Sequence, residues 1–228
     1  GGASRHMHVM HVRPWPRLLD SAVVDALLRA VLPEGYVAAG GGGDFVLGGT
    51  DTYQSLHIDL GSAPFHELDR PPAVAVNFVV EDLACAGGPL RVLPGTQRRG
   101  GPPPPLFEEP QEAKDMVLCP LPAGTAVFRD LRTWHGGTPN ALAATRYLPN
   151  AEFVSAEWAP RTCGKGGYLD PCSPVLPLRA HASLSEHGRA ISAGIVDRSG
   201  SLQEVDAASS DWIVPGFAQV SRHREEAY

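Results

Sequence analysis

The chain has 228 residues, a formal net charge of −6, and 43% hydrophobic against 19% charged residues. That balance supports a globular domain with a real core and argues against wholesale disorder or a dedicated nucleic-acid surface. No apolar run approaches the ~20 residues that a membrane-spanning helix needs.

In chain order, Gly1 to Met7 reads as a cloning remnant or a truncated start and is set aside. His6, His8 and His11 are assigned to a flexible start rather than to a metal site. Residues 18–32 carry the one long helical pattern: Asp20 and Ser21 can cap it, Val23, Val24, Leu27, Leu28 and Val31 recur at helical spacing, and Pro33 and Gly35 end it. Gly40 to Gly43 reads as a flexible connector without a phosphate-loop pattern. From residue 44 to 158 the text changes to short Val-, Phe-, Leu- and Thr-rich segments separated by Gly and Pro. Strands are predicted over 44–48, 52–59, 73–81, 89–93, 115–119, 125–129, 131–135 and 145–157. Pro102 to Pro105, followed by Glu108, Glu109 and Glu112, predicts a long surface loop of the kind that covers substrate sites. Beyond residue 159 the pattern supports only a short helix near 180–190 and a strand over 211–214.

Eight short strands predict a mainly β fold, a double-sheet barrel or jelly roll with a few flanking helices. The 228 residues are read as a single domain, with a jelly-roll core over about 44–158, an N-terminal helix over 18–32 and a C-terminal extension over 159–228. Cys85, Cys119, Cys163 and Cys172 form no CxxC pair, and no signal-peptide pattern opens the chain. The expectation is therefore free thiols in an intracellular, cytoplasmic protein. No membrane partner is expected, and oligomeric state leaves no mark.

Three sites carry chemistry. In His57-Ile58-Asp59, on a predicted strand, the histidine and the carboxylate share a face. His135 follows in Arg132-Thr133-Trp134-His135-Gly136-Gly137 on another predicted strand. Each alone is commonplace, as a surface pair or a hydrogen-bonded turn. Together, two His and one carboxylate make the facial set of non-haem Fe(II) oxygenases, which leaves positions open for a cosubstrate and O₂. Arg146, eleven residues after His135, is suited to hold a carboxylate bidentately.

These residues sit in a longer run of matching text: Leu56-His57-Ile58-Asp59, then Gly87-Gly88-Pro89-Leu90-Arg91-Val92-Leu93-Pro94-Gly95-Thr96, then Gly124-Thr125-Ala126-Val127-Phe128, then Trp134-His135-Gly136-Gly137-Thr138-Pro139-Asn140 and Arg146. In order and spacing the chain resembles the phytanoyl-CoA dioxygenase-like family of Fe(II)/2-oxoglutarate oxygenases over about residues 44 to 158. The resemblance implies a double-stranded β-helix, the cupin-like form of the jelly roll. It implies that His57, Asp59 and His135 are the catalytic iron ligands and that Arg146 holds the distal carboxylate of 2-oxoglutarate. The implied activity is a dioxygenase that consumes O₂ and 2-oxoglutarate, releases succinate and CO₂, and hydroxylates a small organic molecule.

Two departures stand out. Where the family often has Ser-His after its glycine-proline segment, this chain has Thr96-Gln97. The stretch before the HxD strand is also short for the family. Asp59 itself speaks against halogenation, since related halogenases carry a small residue there and bind chloride in the gap.

Other residues admit two readings each. Asn77, polar in an otherwise apolar strand, either contacts the cosubstrate or closes a hydrogen bond in the core. Tyr53 either faces the substrate cavity or packs; Gln54 lies beside it. Arg91 either binds an acidic substrate or extends to solvent. Trp134 is read as packing. A zinc site at Cys163 and Cys172 would need more ligands than the sequence shows. The absence of a basic patch favours a neutral or cationic metabolite over an acyl-CoA. Alternatives to the oxygenase are a cupin-like isomerase or hydrolase that uses the triad without 2-oxoglutarate, and a jelly-roll binding module; Arg146 and the intact triad speak against them.

Overall fold

The computed structural model describes residues 4–6, 10–32, 34–60, 65–99, 101–162 and 174–206. In chain order its strands are β1 (Ser4–His6), β2 (Val12–Arg13), β3 (Tyr36–Gly40), β4 (Gly43–Val46), β5 (Ala73–Phe78), β6 (Leu90–Val92), β7 (Ala126–Asp130), β8 (His135–Gly137), β9 (Arg146–Ser155), β10 (Leu176–Pro177), β11 (Val196–Asp197) and β12 (Val205–Asp206). The α-helices are α1 (Ala22–Val31), α2 (Gln111–Asp115), α3 (Ala159–Thr162), α4 (Leu178–Ala182) and α5 (Glu186–Ser192). The chain forms two compact units, one of residues 1–5 with 44–150, the other of residues 6–43 with 151–228.

The first unit is built on a sheet ordered β1-β4-β9-β5-β7. Its β5 is buried from Ala73 to Asn77, as expected for a strand covered on both faces. β5 and β7 run antiparallel, with Ala75 opposite Arg129 and Asn77 opposite Val127. A second ladder pairs β6 with β8, Leu90 opposite Gly137 and Val92 opposite His135. Single bridges widen it: His57 with His135, Thr50 and Gly87 with Asn140, and Arg91 with Val117. Leu148 of β9 packs with Leu90 of β6, Val79 and Leu83 between the two layers, each buried aliphatic contributing roughly 1.5–3 kcal/mol. This is the mainly β, jelly-roll arrangement that the residues predict.

Several predicted strands shrink. The segments 52–59 and 115–119 contribute bridges at His57 and Val117 rather than ladders. Residues 131–132 turn, so the strand predicted over 131–135 begins only at His135. The Pro102–Glu112 stretch is not a bare loop either. It holds a 3-10 turn over Leu106–Glu108 and then α2, and Glu109 between them is buried.

In the second unit Ser21 caps α1, its side chain accepting from the Val24 amide at 3.4 Å. Asp20 does not share that role; its carboxylate accepts from the Ser185 amide (2.8 Å) and hydroxyl (2.6 Å) at the start of α5. Of the five apolar residues in the α1 pattern, Val24 and Leu28 are buried while Val23, Leu27 and Val31 are 72%, 47% and 40% exposed. The expected connector at Gly40 to Gly43 is instead buried, with Gly40 ending β3 and Gly43 opening β4. β3 pairs with the end of β9, Tyr36 opposite Ser155. The helix expected near 180–190 is two helices, α4 and α5. His11, expected in a flexible start, is 2% exposed beside β2, where its carbonyl accepts from Val205. The strand expected over 211–214, and Cys163 and Cys172, lie outside the described residues.

The expectation of free thiols is corrected at Cys85 and Cys119, which form a disulfide. Their spacing of 34 residues resembles no motif. The antiparallel bridge between Leu83 and Leu121 is what brings the two Cα atoms to 5.0 Å, within disulfide reach.

Candidate metal centre

The site grows out of two backbone pinnings. The His57 and His135 amides each donate to the other's carbonyl, at 2.9 and 3.1 Å. The Asp59 and Leu60 amides both donate to the Leu131 carbonyl, at 3.1 and 3.0 Å. The HxD segment is thus fixed at both ends against the stretch that carries the second histidine. Gly136 permits this close approach, because a Cβ there would lie 2.9 Å from the Gln54 carbonyl oxygen and 3.1 Å from that of Ser55. Thr96, at the first departure from the family text, helps too. Its hydroxyl donates to the Leu93 carbonyl (2.6 Å) and accepts from the Trp134 amide (2.9 Å), tying the end of β6 to the residue before His135.

His57, Asp59 and His135 come together with one ligand atom from each lying within 4.8 Å of the others. His57 Nε2 is 3.7 Å from Asp59 Oδ1 and His135 Nε2 is 3.4 Å from Asp59 Oδ2. The imidazole centroids are 4.1 Å apart. Each Nδ1 lies against a backbone carbonyl, Ser55 at 3.1 Å for His57 and Thr133 at 3.0 Å for His135. An Nδ1–H donated there leaves the Nε2 lone pair for a metal, the usual way a ligating histidine is held. The donor set of two imidazoles and one carboxylate therefore fits a divalent transition metal with open positions.

Arg129, which no motif marks in the sequence, is part of this site. Its Nη1 donates to Asp59 Oδ2 at 2.7 Å and lies 3.2 Å from His135 Nδ1. The signal was an arginine at an inward-facing place in a predicted strand, legible only once β5 and β7 are in register. Burial works against the Asp59 anion, but His135 and the permanently charged Arg129 outweigh it and hold the carboxyl well below the usual carboxylate range. Burial, and then Arg129, push His135 from its ordinary 6.5 down to about 3. In the metal-free protein both groups therefore refuse protons that the unfolded chain accepts. The sign follows by linkage: stability falls as pH drops through 6.5 for His135, and falls further below the normal carboxylate range for Asp59. The melting temperature of metal-free protein should decline between pH 7 and 5 more steeply than that of His135→Asn; equal slopes in the two would reject this assignment.

The other predicted residues are distributed differently. Asn77 is 1% exposed and, among the described residues, its Oδ1 has no hydrogen-bond partner; opposite Val127, it shares a sheet face with Ala75 and Arg129. Arg146 is buried, with Nε donating to the Gly88 carbonyl at 2.9 Å. It lines a small surface cleft with Val79, Glu81, Asp82, Asn140 and Leu142 that no triad residue borders. Arg91 does not extend to solvent. It is fully buried, with Nη1 donating to Glu109 Oε2 and Nη2 to Glu109 Oε1 (3.1 Å) and the Gln54 carbonyl (2.6 Å). Glu109 Oε1 also accepts from the Leu56 amide at 3.0 Å, so this ion pair fastens the start of the HxD segment. Arg91 (5.3 Å) and Lys114 (5.7 Å) both lie over the Tyr53 ring. The Gln54 side chain accepts from the Gly137 amide at 2.8 Å, and Trp134 packs with Leu56 and Ala113.

Among solved structures of similar fold is the non-heme monooxygenase ThoJ in its apo form, with a TM-score of 0.54 and 17% identity over 64% of this chain and 57% of that one. The epimerase SnoN in complex with Fe3+, alpha ketoglutarate and nogalamycin RO gives 0.53 and 18% over 68% and 65%. EctD from S. alaskensis, with 2-oxoglutarate and 5-hydroxyectoine, gives 0.52 and 17% over 68% and 57%. The chain thus spans 57–65% of the length of these proteins, and at such identities the likeness speaks for the fold. The family model for Phytanoyl-CoA dioxygenase (PhyH) matches residues 10–147, a stretch that takes in the whole His-Asp-His group and Arg146, and the chain belongs to that family.

Proposed function

We propose that the protein is an Fe(II)- and 2-oxoglutarate-dependent dioxygenase that hydroxylates a small organic molecule. The observation that carries this is the triad, in which each histidine has Nδ1 on a carbonyl and Nε2 within 3.7 Å of an Asp59 oxygen. Family membership supports it, as do the iron and 2-oxoglutarate held by SnoN and the 2-oxoglutarate held by EctD. When bound, iron and 2-oxoglutarate supply the oxidising chemistry, in which O₂ is consumed and succinate and CO₂ leave.

The chain's own residues do the rest. His57, Asp59 and His135 would hold the metal. Arg146, its guanidinium oriented by the Gly88 carbonyl, is the proposed anchor for the distal carboxylate. Asn77 offers a buried amide without a partner for its oxygen; turned by half a rotation about its last bond, it presents an N–H to a carboxylate. Arg91 and Tyr53, held in the Glu109 ion pair and its stack, support the site rather than meet the substrate. The Asp59 carboxylate keeps the reaction on oxygenation rather than halogenation. The net charge of −6 suits a neutral or cationic substrate.

The test is succinate formation from 2-oxoglutarate with Fe(II) and O₂, with and without candidate substrates. Arg146→Lys keeps the charge but loses the planar fork. It should weaken 2-oxoglutarate binding about tenfold, an estimate from the ~1.4 kcal/mol scale of one charge-assisted hydrogen bond, while Fe(II) affinity stays near that of the parent. No succinate under any condition would sink the activity. Unchanged 2-oxoglutarate affinity in the variant would remove Arg146 as the anchor.

A further inference from the structure

We propose that Arg129 is a positioning residue that couples cosubstrate binding to metal binding, by occupying one oxygen of Asp59 and offsetting its charge. The inference rests on the reading of the triad as an iron and 2-oxoglutarate site.

Arg129 stands opposite Ala75 in the β5–β7 ladder, and its guanidinium crosses from the sheet to the carboxylate of Asp59. Both side chains are almost fully buried, at 5% and 7% exposure. Two consequences follow. The first is geometric. With Oδ2 receiving the Arg129 Nη1 proton at 2.7 Å, Oδ1 is the oxygen left for a metal. Asp59 would then ligate through one atom, leaving positions on the metal for a chelating keto acid and O₂. A carboxylate free to bind through both oxygens would take one of them.

The second consequence is electrostatic. As ligands His57 and His135 are neutral, so the charges of Asp59 and Arg129 cancel before any metal enters. A divalent ion then leaves two uncompensated positive charges in a buried site instead of one. That lowers affinity for the bare ion, because buried charge without a partner is costly. It raises affinity for an anionic ligand on the ion. By reciprocity, 2-oxoglutarate must strengthen metal binding by the same factor by which metal strengthens 2-oxoglutarate binding.

The experiment is anaerobic calorimetric titration of Fe(II), with and without 2-oxoglutarate, into the parent, Arg129→Met and Arg129→Lys, with folding of each checked by circular dichroism. The readout is the ratio of the two Fe(II) affinities. Arg129→Met should lower that ratio by about tenfold, within the ~5–150-fold range usual for linked sites. Arg129→Lys retains the charge and should keep the ratio within about threefold of the parent. A purely structural role would weaken both affinities and leave the ratio in place, so an unchanged ratio in folded Arg129→Met overturns the proposal. Should Arg129→Met fail to fold, Arg129→Gln, uncharged but still able to donate to Asp59, decides: a ratio lowered about tenfold supports the coupling and an unchanged one overturns it. A parent that binds no Fe(II) would instead overturn the reading of the triad, and this inference with it.

Discussion

Alanine in place of His57, Asp59 or His135 is expected to abolish stoichiometric Fe(II) binding and, with it, turnover. A three-ligand site has no spare donor, and among the described residues this is the one group of His, Cys, Asp and Glu placed to hold an ion. The three variants should differ in what else they lose. The His57 side chain is 30% exposed and hydrogen-bonds to a carbonyl on its own segment, so His57→Ala should fold nearly as well as the parent. His135→Ala opens a cavity in a buried place. Asp59→Ala also strips Arg129 of its carboxylate, a change on the scale of ~3–5 kcal/mol for a broken buried pair; Asp59→Asn keeps the shape and is the better probe of ligation. Metal analysis after anaerobic loading checks the assignment, and a variant that retains one Fe(II) per chain would remove that residue from the ligand set.

Glu109→Ala is expected to be among the most destabilising single changes in the jelly roll. Both partners of the Arg91–Glu109 pair have wholly buried side chains, and Glu109 also holds the Leu56 amide. Removing the carboxylate leaves the Arg91 charge in the interior with the Gln54 carbonyl as its one acceptor among the described residues, at a cost of about 3–5 kcal/mol. The paired replacement Arg91→Met with Glu109→Leu removes both charges and should cost much less, since apolar substitutes often match a buried ion pair. Urea unfolding of the parent and both variants measures this. A loss under about 1 kcal/mol for Glu109→Ala, the level of an exposed pair, would show that the pair is not structurally important. Because Leu56 immediately precedes His57, a partly folded Glu109→Ala protein should also bind Fe(II) less tightly than the paired variant.

What could be read from the residues alone was the chemistry with a local or strongly periodic signature. The β5 run is apolar enough to announce a covered strand, and α1 announces a cap at Asp20 or Ser21, between which the fold chose Ser21. His57, Asp59 and His135 declare themselves by residue type and spacing, because a metal site needs particular donors whatever holds them. Tertiary structure decided the rest, for reasons of distance. Arg129 and Asp59 lie 70 residues apart, and nothing in either segment marks the other as its partner. Arg91 has a flexible stem that reaches solvent or core equally well, and only the fold of the 106–115 stretch delivers Glu109 to it. Cys85 and Cys119 pair because a bridge between two loops carries them together. Asn77 was legible as a polar residue that needs a partner, but which face it takes was decided by the register of β5 on β7, since a shift of one residue would turn every side chain on the strand to the other side.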